Sequence, residues 1–105
     1  MTKKTEKDPR EELIQELKKQ HGDVWAIECD NNVCYVKKPN RDTMARAIVH
    51  YNGGKLLEAG ETLLDNCFIH GDEVIRNDDM KRVAAAMQIW GIVEQIIPEV
   101  SLKKL

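Results

Sequence analysis

A chain of 105 residues with 42% hydrophobic and 32% charged side chains fits one folded module with a solvated exterior and is too short for two independent cores. Its formal charge of −2, with 16 basic residues mixed among 18 acidic ones, provides no field for phosphate backbones or anionic lipid, so no nucleic-acid partner is expected. No window approaches the roughly 20 apolar residues of a membrane span, and 3 cysteines make no disulfide framework, so the expected setting is a reducing cytoplasm with no membrane contact.

Residues 1–7 form a polar lead without an apolar anchor, and the ordered domain is expected over 8–97. Asp8 is placed to cap a helix, Pro9 suits its first turn and Glu11 completes a D-x-x-E box. This predicts a helix from Arg10 to about Gln20 with Leu13, Ile14 and Leu17 on its buried side. Gly22-Asp23 releases it.

Val24–Glu28 and Val33–Lys37 read as two strands around Asp30-Asn31-Asn32. With Asn31-Asn32 as the loop, Cys29 faces Cys34, Ile27 faces Val36 and Trp25 faces Lys38. That register gathers Trp25, Ile27, Cys29, Cys34 and Val36 on one surface for helices to cover, and leaves Glu28, Tyr35 and Lys37 toward water. Asn40 after Pro39 caps a helix from Arg41 to about Tyr51, whose inner face is Met44, Ala47, Ile48 and Tyr51. Asn52-Gly53-Gly54 stops it. A helix from about Lys55 to Asn66 offers Leu56, Ala59, Gly60, Leu63, Leu64 and Cys67, and the small pair Ala59-Gly60 would admit another backbone at close range.

The chain then runs through an acidic Gly71-Asp72-Glu73 connection. Asn77-Asp78-Asp79 supplies cap and charge for the longest helix, about Asp78 to Ile97. Met80, Val83, Ala84, Met87, Trp90, Gly91, Val93 and Ile97 give it a wide apolar sector, expected at the centre of the fold. Pro98 ends it, and residues 98–105 form a tail carrying Val100, Leu102 and Leu105. The expected class is α+β: a short antiparallel β-hairpin packed against about four α-helices, mostly helical.

Catalytic sets are missing from the pattern. Ser101 is the only serine and lies outside any G-x-S-x-G turn, and His21, His50 and His70 lack metal-binding spacing with one another. The sharpest cofactor reading is a tetrahedral zinc site from Cys29, Cys34, Cys67 and His70, against which stands the ordinary reading of inert core cysteines. No cofactor is expected. The acidic groups at 72–73 and 78–79 lack the alternating ligands of a calcium loop, and helix capping accounts for the second. What remains is association surface. The candidate protein-contacting residues are Trp25, Arg41, Met44, Met87, Trp90 and Leu102.

Three segments carry a family resemblance: K-x-x-G-D-V-W-A-I ending at Ile27, Y-V-K-K-P-N-R from Tyr35 to Arg41, and L-L-D-N-C-F-I-H-G-D-E from Leu63 to Glu73. Together they resemble the tail assembly chaperones of tailed bacteriophages and prophages, over approximately Leu13 to Ile97. His70-Gly71 stands where a Gly-Gly step is more typical. The resemblance implies a non-catalytic bacterial-host protein that shields the phage tape measure protein during tail construction. It also implies that Tyr35, Pro39, Arg41, Asn66 and Asp72 are structural determinants. Two alternatives stand beside it: a homo-oligomeric phage accessory protein, and the zinc module.

Overall fold

The computed structural model describes residues 9–105. The polar lead 1–7 and the Asp8 cap lie outside the described residues. In chain order the elements are α1 (Pro9–His21), β1 (Val24–Cys29), β2 (Asn32–Lys37), α2 (Arg41–Asn52), α3 (Leu56–Cys67), β3 (Phe68–Gly71), α4 (Val74–Asn77) and α5 (Asp79–Ile96). The fold is a small, mostly helical α+β domain with a three-stranded antiparallel sheet in the order β1-β2-β3.

The caps act as the sequence implies. Asn40 is extended, and its Oδ1 accepts the Thr43 N–H at 2.8 Å, while Asp78 Oδ2 accepts the Lys81 N–H at 3.0 Å. Each satisfies one orphan donor of a first helical turn. Glycine ends α1: Gly22 takes a φ of +82°, and its N–H reaches the Lys18 carbonyl at 2.9 Å.

The hairpin differs from expectation by two residues. Asp30-Asn31 forms the loop, with Asp30 at φ 56°, so Ile27 faces Cys34, Trp25 faces Val36 and Cys29 faces Asn32. Asn32 joins the strand because its amide is engaged on both sides. Its Nδ2 donates to Asp72 Oδ2 at 3.3 Å, and its Oδ1 accepts from Lys81 Nζ at 2.7 Å. A shift of two preserves the faces, since side chains alternate with a period of two, but it changes which residues are neighbours.

The third strand was not anticipated. Gly71 has a φ of +127°, and a Cβ there would lie 2.5 Å from Cys34 Cα and 2.6 Å from the Val33 carbonyl oxygen, so only glycine lets β3 approach β2 this closely. Asp72 locks the join: its N–H donates to the Val33 carbonyl at 2.9 Å and its Oδ2 accepts the Val33 N–H at 3.0 Å. The Val33 N–H first, and then the Asn32 side-chain amide, hold the Asp72 carboxyl below its usual range. On α4, Arg76 lies 4.0 Å over the Phe68 ring and pairs with Glu73 at 2.7 Å.

With β2 in the middle, one sheet face is covered by the core and the other is covered at Tyr35, while Ala26, Glu28 and His70 on that side stay exposed. Ile27, Cys34 and Val36 face the helices and join Ala47, Leu63, Leu64, Cys67, Ile75, Ala85, Ile89, Ile92 and Val93 in one core. Each large member, such as Leu64 or Ile89, contributes about 1.5–3 kcal/mol on burial. The opposite face was expected to meet water at Tyr35, yet Tyr35 is only 2% exposed. α1 packs on that side: Arg10 Nε donates to Tyr35 Oη at 3.3 Å and its Nη2 meets Glu28 at 3.4 Å. The core on one face and α1 against Tyr35 on the other explain why the hairpin, marginal alone, is held.

Candidate functional site

The Gly53-Gly54 turn brings the end of α2 beside the start of α3. The Gly54 N–H reaches the Tyr51 carbonyl at 3.1 Å, and the Lys55 N–H reaches the His50 carbonyl at 2.8 Å. α3 then crosses α5 with Gly60 directly against the Ala86 backbone, where an added Cβ would lie 2.8 Å from the Ala86 carbonyl carbon. The small pair seen in the sequence thus serves a close helix crossing. Arg82 fixes the same crossing from the side. Its Nε donates to Glu61 at 2.7 Å, and its two Nη atoms reach the Asp65 carboxylate at 3.0 and 2.8 Å. Hydrogen bonding from Arg82 holds the Asp65 carboxyl below its usual range, and the same bonds raise the Arg82 guanidinium's pKa.

Between these fixed walls lies an apolar groove of about 410 Å³. Tyr51 contributes from α2, Leu56 and Leu57 from α3, and Val83, Ala86, Met87 and Trp90 from α5. The Tyr51 and Trp90 rings stack, with centroids 4.9 Å apart and planes within 8°. Met87, at 71% exposed, and Leu56, at 62%, stand open at the groove. No Asp, Glu, Lys, Arg or His lines it, and the Tyr51 hydroxyl and the Trp90 indole N–H are the polar groups its side chains carry.

The placement of α5 corrects one expectation. Its buried side is Ala85, Ala86, Ile89, Ile92 and Val93, whereas Met80, Met87 and Ile97 are exposed. The helix is apolar nearly all round, so periodicity could not choose the inner face. The Ala85-Ala86 pair, the side that Gly60 can meet, decides it. The same difference applies to Ile48 and Tyr51 on α2 and Leu56 on α3, expected inside and found exposed.

Of the six protein-contact candidates, Met87 and Trp90 come together in the groove. Met44 is half-buried and packs on the core. Trp25 also packs on the core and donates from Nε1 to Gln95 at 3.0 Å. Arg41 is exposed at the start of α2, and Leu102, 98% exposed, lies beyond α5. Sequence reasoning missed Leu57 and Ala86 altogether. Leu56-Leu57 beside a Gly-Gly stop was the available signal for an apolar edge.

The zinc candidates do not converge. Cys34 faces the core opposite Ile27, Cys29 faces Asn32 at the hairpin end, and His70 pairs with Tyr35 on the other face of the sheet, ring centroids 6.3 Å apart. Among the described residues no group of three or more His, Cys, Asp or Glu side chains is arranged to hold a metal. Burial pushes the Cys34 and Cys67 thiols up to about 11, which keeps both protonated and poorly nucleophilic near neutral pH.

No family model matches the chain, and neither does any curated protein or solved structure. Among the described residues no helix is long and apolar enough to cross a membrane. The groove's own chemistry therefore carries the functional reading.

Proposed function

We propose that this chain is a non-catalytic protein-binding module whose α2–α3–α5 groove covers an apolar helical segment of another protein. The observation behind this reading is the groove itself: a stacked Tyr51–Trp90 pair, an open Met87 and two leucines, held between helices whose spacing is fixed by Gly60 and Arg82. An amphipathic helix presents apolar side chains at i, i+3, i+4 and i+7, the pattern that such a furrow accepts. The flexible thioether of Met87 adapts to several packings, which suits a client with many similar apolar stretches.

The client class proposed here rests on the resemblance of the Tyr35–Arg41 and Leu63–Glu73 segments to phage tail assembly chaperones. The client is then a tape measure protein, long and helical, whose apolar stripes need cover in the bacterial cytoplasm until the tail tube surrounds them. Binding would be transient, because a groove this small buries less area than a permanent interface. Coexpression with the tape measure protein of the same phage or prophage, followed by copurification, tests the reading. Recovery of a complex that Met87→Glu abolishes supports it, and absence of any complex overturns it.

The second reading, a homo-oligomeric accessory protein, is favoured by a different observation: Val100, Leu102 and Leu105 lie almost fully in solvent. It expects a stable assembly of this chain alone with no affinity for a long helical client.

A further inference from the structure

The chain presents two apolar surfaces that do not meet. One is the groove; the other is the segment 98–105, which has no regular structure and carries Val100 at 85%, Leu102 at 98% and Leu105 fully exposed. None of its residues lines the groove of its own chain. Ile97 leaves α5 in an extended conformation, φ −80° and ψ 124°, as the proline that follows it requires, and the segment touches none of the groove's side chains closely enough to cover its leucines.

Charge supplies the second observation. The open stripe of α5 runs Met80, Val83, Met87, Trp90, Glu94, Ile97, with residues three or four apart, so Glu94 continues the groove by one turn. Glu94 makes no ion pair among the described residues, and the last turn of α5 contains no basic side chain. A carboxylate at the negative end of a helix is an uncompensated charge that favours a cation nearby. Within the segment 98–105, Lys103 and Lys104 sit between Leu102 and Leu105 and are likewise without an ion pair among the described residues. Glu99 is the one acidic side chain of the segment, so two lysines against one glutamate leave its side chains at +1, with the basic pair flanked by Leu102 and Leu105 to match an apolar groove that Glu94 extends.

We infer that residues 98–105 of one copy dock in the α2–α3–α5 groove of a second copy, and that the exchange is reciprocal. Val100, Leu102 and Leu105 cover Met87 and the Tyr51–Trp90 stack, and the two lysines reach Glu94 and the carbonyl end of α5. A two-fold pair follows, since the same groove and the same segment are used twice. One segment in one groove falls short of the roughly 20–30 residues a side of a standard interface, whereas exchange makes each copy contribute both. This inference rests on the groove being the binding surface, and it adds regulation: in the pair each groove is already filled, so a helical client must displace a segment.

The test is the mass of the full chain in solution by light scattering and sedimentation equilibrium. The unaltered chain is expected at twice its 12.0 kDa mass, and Val100→Ser/Leu102→Ser/Leu105→Ser at the single mass. These side chains are solvent-exposed, so the variant folds as the parent does. Glu94→Lys and Lys103→Glu/Lys104→Glu are each expected to weaken pairing at least tenfold, and their combination to restore it. A monomeric parent, or a dimer unchanged by the triple serine variant, overturns the inference.

A fluorescently labelled Leu-rich amphipathic helical peptide separates this from the functional reading. If the peptide binds the triple serine variant at least tenfold more tightly than the parent, both stand. If it binds both alike and both are monomers, the exchange is wrong and the groove reading survives. If the dimer dissociates on substitution but the peptide binds neither, the exchange stands and the client reading fails.

Discussion

Gly60 rests against the backbone of Ala86, with no room for a single additional methyl group between α3 and α5. The obstacle is main chain, which cannot rotate aside as a side chain can. Gly60→Ala is therefore expected to push the two helices apart and lower stability by about 2–3 kcal/mol, despite the better helix propensity of alanine. Urea unfolding followed by circular dichroism reads this directly. A variant as stable as the parent would show that the α3–α5 crossing has room for the added methyl group.

Met87 separates binding from folding. Its side chain is mostly in solvent, so Met87→Glu should leave stability within about 0.5 kcal/mol. The same change places a carboxylate in the middle of the groove, where an apolar partner would have to desolvate it. Loss of client binding with an unchanged melting temperature is the expected result; parallel loss of both would assign Met87 to the core.

The acid limb of stability follows from two carboxylates. Asp65 is held below its ordinary value of 3.8 chiefly by hydrogen bonds from Arg82, and Asp72 chiefly by the Val33 N–H. A depressed folded pKa contributes stability that is fully present above the unfolded value and is lost as pH falls through the lower, folded one. Stability should thus drop progressively below about pH 4. Arg82→Met should cost about 1–2 kcal/mol at neutral pH and make the acid limb shallower, leaving the share of Asp72 in place. Urea midpoints at pH 7, 4 and 3 for parent and variant check the sign.

The thiols give an independent measure of the fold. Cys34 and Cys67 are buried with pKa values near 11, whereas Cys29 is half-exposed at the hairpin end. A disulfide-exchange reagent at pH 8 should label Cys29 rapidly and the other two only after denaturation. Added zinc or a chelator should leave the labelling pattern and the melting temperature unchanged, because among the described residues no three His, Cys, Asp or Glu side chains are arranged to hold a metal.

Much of the architecture was legible because it is written in local chemistry. Asn40 and Asp78 announce helix starts, Gly22 and Gly53-Gly54 announce ends, and Ala59-Gly60 announces a close crossing. The misplaced pieces depend on partners far away in sequence. β3 exists because Gly71 fits beneath Cys34 and Asp72 grips Val33, contacts that no window around residues 68–72 contains. Tyr35 is covered by α1, which alternation along β2 alone does not disclose. The groove was half visible, with Met87 and Trp90 identified and Leu57 overlooked, because an all-round apolar helix such as α5 shows its open side only once its neighbours have chosen the other.

The clasp of Asp72 on Val33 joins positions 39 apart in the chain. Closing so large a loop costs entropy that must be spent before the contact returns anything, whereas the β1–β2 ribbon and the α2–α3 pair are each built from near neighbours. The order of assembly follows: ribbon and helix pair come first, and the third strand zips on last. Substitutions at Asp72 should accordingly speed unfolding while leaving the refolding rate almost untouched, with a φ-value near zero.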